Sequence, residues 1–214
     1  MVAVVAAYDG LFLDHFSAAT IEGNLIRGNR AGDQGGGITI DSSDALIAGN
    51  IIQGNRAAAN AGVFLFLESS PILVNDLIAN NVSDGRSGGM GVDFLSSTPI
   101  VHNTIVDNSS SWQPSELDVR GRSTVSPTNT ILWGEGRTVY VEEPGSRVMA
   151  THSTLRGGLP GPATSTPTPS SLTPPTGTTA CASVPRALMP AWTSTSRGTP
   201  GPSTVMATVS RATT

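Results

Sequence analysis

The stretch IEGNLIRGN, residues 21–29, decides the fold because its pattern returns along the chain at a nearly constant spacing. The copies read GNLIRGN (23–29), GNIIQGN (49–55), VNDLIAN (74–80), HNTIVDN (102–108), TNTILWG (128–134) and, more weakly, HSTLRGG (152–158). Their leading asparagines are 25 to 28 residues apart: Asn24, Asn50, Asn75, Asn103 and Asn129. An aliphatic residue follows two positions later in every copy: Ile26, Ile52, Leu77, Ile105, Ile131 and Leu155. A fixed period of this length predicts a repeat architecture.

Between these copies lie short segments in which apolar and polar residues alternate. They are GLFLD (10–14), GITID (37–41), GVFLFLE (62–68), GVDFL (91–95), ELDVR (116–120) and TVYVE (138–142). Such alternation, bounded by Gly, Asn, Asp and Ser, indicates short strands joined by turns. We therefore predict an all-β solenoid of parallel strands, in which each position recurs about 4.8 Å along the axis. In this stack the aliphatic residues form interior columns and the leading asparagines form a hydrogen-bonded ladder.

The repeated pattern I-x-x-N-x-I-x-x-N resembles the right-handed parallel β-helix repeat of pectin-lyase-like proteins. The resemblance covers about residues 10–158 and implies a right-handed parallel β-helix of about six coils. That superfamily includes lyases, glycoside hydrolases, epimerases and adhesins, so the resemblance predicts the fold and leaves the activity open. The alternative fold is a β-sandwich in which the asparagine spacing is a coincidence.

Composition and charge exclude several functional classes. The net charge of −4 and pI of about 5.2 do not favour binding to nucleic acid or to an anionic membrane. No apolar run reaches the roughly 18–20 residues that a membrane-spanning helix needs. A single cysteine, Cys181, excludes a disulfide framework and a multi-cysteine metal site. Residues 1–9 do not resemble a signal peptide, and we interpret them as a partial coil or truncated cap.

The composition changes sharply near residue 158, which we take as the end of the repeats. All 16 acidic residues precede Gly157, and Thr, Pro and Ser fill 32 of the 58 positions from Gly157 onward. Residues 159–214 therefore predict a disordered tail, either a linker or glycosylated stalk or the product of a shifted reading frame. We favour the shifted frame, because Thr164–Thr179 and Trp192–Thr214 can be read one frame over as acidic segments. Those segments resemble the ones that close many bacterial β-helix repeats.

Three acidic residues suggest a metal site. Asp14, Asp41 and Glu68 each end a predicted strand, at steps of 27 residues. Stacked carboxylates repel one another, so they either face water, raise one another's pKa or share a cation. The resemblance implies Ca²⁺ in this place, because polysaccharide lyases of this fold hold Ca²⁺ with acids on one face, and oxygen ligands suit this ion. Ca²⁺ is the only cofactor that we consider.

Three arginines are candidate substrate ligands. Arg30 and Arg56 follow the second asparagine of their copies, 26 residues apart, and Arg86 lies in the loop NNVSDGRSGGMG (80–91). Arginine beside an acid column suits a lyase base or a clamp on uronate carboxylates. The alternative is that these arginines are corner charges that keep the edge soluble. No catalytic residue can be assigned from the sequence.

These features predict a carbohydrate-associated module of an extracellular or cell-surface protein, within a longer secreted chain. Two alternatives belong to other functional classes. The first is a polysaccharide lyase or related enzyme that acts on acidic glycans with Ca²⁺. The second is an adhesin that presents the coil as a protein-binding scaffold. The expected partner is a polysaccharide, and the sequence predicts no oligomeric state.

Overall fold

The computed structural model describes residues 10–159, except Gln113 and Glu143, together with the short strand Val209–Arg211. No helix occurs among these residues. The chain instead winds through six coils of three or four strands each. The predicted all-β parallel solenoid of about six coils is therefore confirmed, and the β-sandwich is excluded.

The strands have the following bounds. Coils 1 and 2 contain β1 (Leu11–Leu13), β2 (Ala18–Glu22), β3 (Leu25–Arg27), then β4 (Ile38–Asp41), β5 (Asp44–Ala48), β6 (Ile51–Gln53) and β7 (Arg56–Ala57). Coils 3 and 4 contain β8 (Val63–Phe66), β9 (Ile72–Val74), β10 (Leu77–Ala79), β11 (Val82–Ser83), then β12 (Met90–Val92), β13 (Ser97–Val101), β14 (Thr104–Val106) and β15 (Ser109–Ser110). Coils 5 and 6 contain β16 (Leu117–Val119), β17 (Thr124–Thr128), β18 (Ile131–Trp133), then β19 (Val139–Val141), β20 (Arg147–Val148) and β21 (Thr154–Leu155).

Equivalent strands of successive coils pair in parallel and form four sheets along the axis. Sheet A contains β1, β4, β8, β12, β16 and β19, and sheet B contains β2, β5, β9, β13, β17 and β20. Sheet C contains β3, β6, β10, β14, β18 and β21, whereas the short sheet D contains only β7, β11 and β15. Because each coil pairs with its two neighbours, the fold is stabilised mainly by coil-to-coil contacts.

The solenoid interior holds columns of buried aliphatic side chains, one or two from each long sheet. The column from sheet C is Ile26, Ile52, Ile78, Ile105, Leu132 and Leu155. Two members of the predicted column, Leu77 and Ile131, are wrong. Each lies one residue before the interior position and points outward, and 44% of Ile131 is exposed.

A ladder of polar side chains runs along the corner between sheets B and C. Its rungs are Asn24, Asn50, Asp76, Asn103, Thr130 and Ser153. At each step the backbone N–H of one rung donates to the side-chain oxygen of the next, over 2.7–3.4 Å. The structure thus places Asn24, Asn50 and Asn103 in the predicted ladder but replaces Asn75 with Asp76 and Asn129 with Thr130.

The displaced asparagines occupy the corner position that precedes each rung. The backbone at this position is left-handed, with glycine in the first two coils and then Asn75, His102, Asn129 and His152, whose φ values are between 50° and 57°. Asparagine adopts this conformation more readily than most other residues. Asparagine therefore fits both the rung and the corner, and this explains the one-residue error in the sequence alignment.

Two further ladders complete the polar framework. The second follows sheet C and contains Asn29, Asn55, Asn81, Asn108 and Glu116. The third lies between sheets A and B and contains Ser17, Ser43, Ser69, Ser96 and Ser123. The sequence analysis missed the serine ladder, although its steps of 26 or 27 residues are a signal in the sequence.

Most of the predicted tail lies outside the described residues, as does the predicted cap over residues 1–9. The exception is β22 (Val209–Arg211), which pairs antiparallel with β2 at the first-coil edge of sheet B. An edge strand presents unpaired backbone N–H and C=O groups, which explains how a strand can add there. This strand departs from the prediction of a tail without strands. For residues 160–208 and 212–214, disorder and the shifted reading frame remain predictions.

Candidate functional site

The predicted three-acid metal site is not assembled. Asp14 and Asp41 occupy equivalent positions at the end of the first strand of their coils, but Asp41 pairs with Phe66 and not with Glu68. The turn after Asp41 has one left-handed residue, Ser42, whereas the turn after Phe66 has two, the second of which is Glu68. Glu68 therefore lies two residues beyond the column. Within residues 10–159, apart from the two gaps, no three His, Cys, Asp or Glu side chains are grouped so that they could hold a metal ion.

This geometry predicts that Ca²⁺ does not stabilise the protein through these residues. We expect millimolar Ca²⁺ to leave the melting temperature of the wild type unchanged, because two stacked carboxylates without further ligands fall short of the six to eight oxygens that Ca²⁺ prefers. Asp41→Asn should behave in the same way. Thermal melts with Ca²⁺ and with chelator test both statements, and a Ca²⁺-dependent rise that Asp41→Asn removes would contradict them.

The three candidate arginines do not form one site. Arg30 and Arg56 are bridged in parallel at the corner beyond sheet C, where Arg56 forms an ion pair with Asp84. Arg86 lies elsewhere, at the edge of sheet A, with its Nη1 3.3 Å from Oδ2 of Asp93. Of the three, only Arg86 therefore reaches the surface described next.

The outer face of sheet A carries an unusual row of side chains. Alternation along each strand sends two residues into the core and one outward, and the outward residues stack in register as Phe12, Thr39, Phe64, Gly91, Asp118 and Tyr140. Three of these positions, Phe12, Thr39 and Phe64, are buried although they face away from the core. The loops that precede the strands must therefore cover part of this face.

One such loop contact is visible at Gly91. A side chain at this position would collide with the amide of Asn60, which lies over the glycine. Nδ2 of Asn60 donates to Oε1 of Gln34 at 2.9 Å, so the amide is held from the neighbouring coil. Over coils 2–4 the centre of sheet A is thus closed, and the accessible polar groups lie farther along the axis.

These groups form what we call the Arg120 cluster: Arg86, Asp93, Asp118, Arg120, Tyr140 and Glu142. Nε of Arg120 donates to both carboxylate oxygens of Asp118, at 2.9 and 3.0 Å. Nη1 of Arg120 lies 3.7 Å from Oε1 of Glu142, and the guanidinium carbon lies 4.3 Å from the centre of the Tyr140 ring. The cluster spans coils 4, 5 and 6 because its members come from three successive turns of the same sheet.

Burial shapes the electrostatics of the cluster. Asp118 is only 2% exposed, and this burial raises its pKa, against the hydrogen bonds and positive charge of Arg120. Burial also opposes the charge on Arg120, but Asp118 outweighs that effect, with help from Tyr140 and Glu142, so the pKa of Arg120 is raised. Asp118 thus acts as a buried anchor that fixes the charged guanidinium, whereas the Arg120 side chain remains 22% exposed.

An aromatic group adjoins the cluster on the coil 3 side. The Phe64 and Phe66 rings stack with centroids 5.6 Å apart, and Phe94 meets Phe66 edge-to-face at 5.4 Å. None of the three rings belongs to the solenoid core, and 53% of Phe94 is exposed. Since Phe94 directly follows Asp93, an exposed ring and the charged cluster share one surface.

The geometry agrees with the comparison to known protein families. The family model described as "Right handed beta helix region" matches residues 4–155. The chain belongs to this family. No curated protein and no solved structure matches the chain. The right-handed β-helix resemblance found in the sequence is thus confirmed, and the site of this β-helix must be argued from its own residues. Within its described residues, no helix has the length and apolarity needed to cross a bilayer.

Sequence reasoning missed most of the Arg120 cluster. Asp118 lies between Leu117 and Val119 in the segment ELDVR, and the alternation alone already predicts that it faces outward. Tyr140 occupies the same position in TVYVE one coil later. The signal that could have found the site is therefore the polar or aromatic residue at the outward position of successive strands of one sheet.

Proposed function

We propose that this β-helix is a non-catalytic carbohydrate-binding module of an extracellular or cell-surface protein, and that it binds sugar at the Arg120 cluster. The observation that carries the proposal is the guanidinium of Arg120, held by buried Asp118 against the Tyr140 ring. The proposed location rests on the resemblance to pectin-lyase-like proteins.

The chemistry of the cluster suits sugar hydroxyls. A guanidinium offers five N–H donors in a fixed plane, and Asp118 uses only the Nε donor of Arg120. Asp93 and Glu142 supply carboxylate oxygens that can accept from hydroxyl groups. Tyr140 and the exposed ring of Phe94 offer apolar faces beside these polar groups. A few fixed polar groups beside aromatic surface are typical of small-ligand sites.

The charge balance favours a hydroxyl-rich glycan over a strongly acidic one. Arg86 and Arg120 are already paired with Asp93 and Asp118, and Glu142 adds a further negative charge. A uronate carboxylate would have to displace one of these partners. The separation of Asp14 and Asp41 from Glu68 also removes the arrangement on which the Ca²⁺-dependent lyase alternative was built.

Binding to a panel of soluble neutral and acidic polysaccharides tests the proposal by affinity electrophoresis. We expect retardation by at least one neutral glycan. Arg120→Ala should weaken binding roughly 10- to 100-fold, since losing a charge-assisted contact costs about 1.5–3 kcal/mol. The matched control is Arg56→Ala, which removes an arginine of the opposite corner and should bind like the wild type.

Three outcomes would redirect the assignment. Equal binding by wild type and Arg120→Ala would remove the site from this cluster. Release of unsaturated or reducing products from a polysaccharide would favour the enzyme alternative, and a chelator would show whether a metal is needed. Failure to bind any glycan would favour the adhesin alternative, in which the solenoid binds a protein.

A further inference from the structure

One rung of the first ladder lacks a hydrogen that its neighbours use. Nδ2 of Asn50 donates to the carbonyl of Ile21 at 2.8 Å, and Nδ2 of Asn103 donates to the carbonyl of Leu73 at 2.9 Å. Asp76 stands between these rungs and is 2% exposed. Its Oδ1 accepts from the backbone N–H and from Nδ2 of Asn50. Its Oδ2 is buried and has no hydrogen-bond partner within the described coils.

The register shows what the missing hydrogen would reach. Ile21, Ile47 and Leu73 are paired in successive strands of sheet B, so the carbonyl equivalent for Asp76 is that of Ile47. An ionised carboxylate cannot donate to a carbonyl, whereas a protonated Oδ2 can. Protonation therefore gives Asp76 the same hydrogen-bonding capacity as the asparagines above and below it.

The second ladder ends on another buried acid. Glu116 is fully buried, and its two oxygens accept from the backbone N–H and from Nδ2 of Asn108, at 3.2 and 2.5 Å. Gly134 packs so closely on Oε1 that it leaves no room for a side chain. The carboxyl is thus enclosed between coils 4 and 5 and has little access to water.

We infer that Asp76 and Glu116 make this β-helix a pH-responsive scaffold, whose coils 3–5 are held most tightly when both buried carboxyls are protonated and loosen as the pH rises. The inference does not depend on the proposed function, because neither residue belongs to the Arg120 cluster.

The electrostatic environment supports this direction. Burial raises the pKa of Asp76 to about 6, against hydrogen bonds from Asn50 and from the backbone at Val74. Burial raises the pKa of Glu116 to about 7, against hydrogen bonds from Asn108 and Ser115.

The charged groups around the two acids are unequal. The rungs beside Asp76 are the uncharged Asn50 and Asn103, and His102 precedes Asn103 at the exposed corner. The negative charge of Asp107 adds to the upward shift of the Glu116 pKa. Glu135 and Arg156 pair with each other outside Gly134, where Glu135 is almost fully exposed. None of these groups supplies a buried cation that would keep either acid ionised.

The sign of the effect follows from proton linkage. Each acid has a higher pKa in the folded chain than in the unfolded one, so the folded state binds more protons. The stabilisation is complete below about pH 4, where both states are protonated. It declines as the pH rises through about 6 for Asp76 and about 7 for Glu116.

Thermal melts of the full chain between pH 4 and pH 8 test the inference. We expect the wild-type Tm to fall by roughly 5–10 °C per carboxyl over this range. Asp76→Asn should remove the part of the fall centred near pH 6, and Glu116→Gln the part near pH 7. The exposed acids supply matched controls, Asp84→Asn and Glu135→Gln, which should keep the wild-type slope.

The slope of Tm against pH is the deciding quantity, because it is independent of any constant loss that a variant causes. An infrared band of protonated carboxyl at pH 5.5 in the wild type, reduced in each of the two variants, gives a second readout that does not rely on unfolding. A wild-type slope retained in both variants, or a wild type without that band, would overturn the inference.

Discussion

Replacing Ile52 with Asp should abolish cooperative folding of the solenoid. Ile52 is fully buried in the interior column, paired with Ile26 in the preceding coil and Ile78 in the next. The variant would place a charge without a partner inside the stack and would remove a core side chain, at a cost of roughly 5 kcal/mol or more. Domains of this size are stable by only about 5–15 kcal/mol. Circular dichroism during heating should therefore show no cooperative transition.

The neighbouring residue supplies the control. Ile51 precedes Ile52 in the same short strand, but its side chain points outward and is 41% exposed. Ile51→Asp introduces the same charge into the same strand, so its effect on stability should stay below about 1 kcal/mol. Equal melting behaviour of the two variants would mean that the register of sheet C is wrong.

Asn81→Ala should be the most damaging single change in the polar framework. Oδ1 of Asn81 accepts from the backbone N–H and Nδ2 of Asn55, and its Nδ2 donates to the Ile52 carbonyl and to Oδ1 of Asn108. Alanine leaves buried donors and acceptors of both adjacent coils without partners. The expected loss is roughly 2–4 kcal/mol, measured by urea unfolding at constant pH.

The adjacent asparagine separates a ladder role from mere asparagine chemistry. Asn80 lies at the exposed corner with φ of 54°, a conformation that glycine adopts without strain. Asn80→Gly should leave the stability unchanged or slightly higher, although the sequence pattern placed Asn80 at the end of its repeat. A larger loss for Asn80→Gly than for Asn81→Ala would contradict the assignment of the second ladder.

The comparison of these two asparagines shows how much of the fold the sequence can predict. Period and alternation predict six parallel coils, and the interior positions Ile26, Ile52, Ile105 and Leu155 follow from the spacing alone. The alignment slips by one residue in coils 3 and 5 because Asn is favoured at both the corner and the rung. Backbone conformation, and not residue type, decides between them.

The candidate site was harder to predict for a related reason. Asp41 and Glu68 are equally spaced in sequence with Asp14, but the turn after Asp41 is one residue shorter, so equal spacing does not mean equal position. Arg86 was identified, yet its partner Asp93 and the Asp118–Arg120 pair depend on which strands adjoin in sheet A. Such contacts connect residues of different coils, and no local pattern records them.

The second ladder has a direction, and its end carries information about how the chain is assembled. Every amide rung receives hydrogen bonds from the coil before it and passes hydrogen bonds to the coil after it. A relay of this kind can be extended by any number of identical coils, so it does not itself count them. A carboxylate receives without passing on, and Glu116 therefore acts as a terminator. Sheet D also stops at this level, with β15 as its last strand. Glu116 thus encodes the length of one side of the solenoid in a single residue.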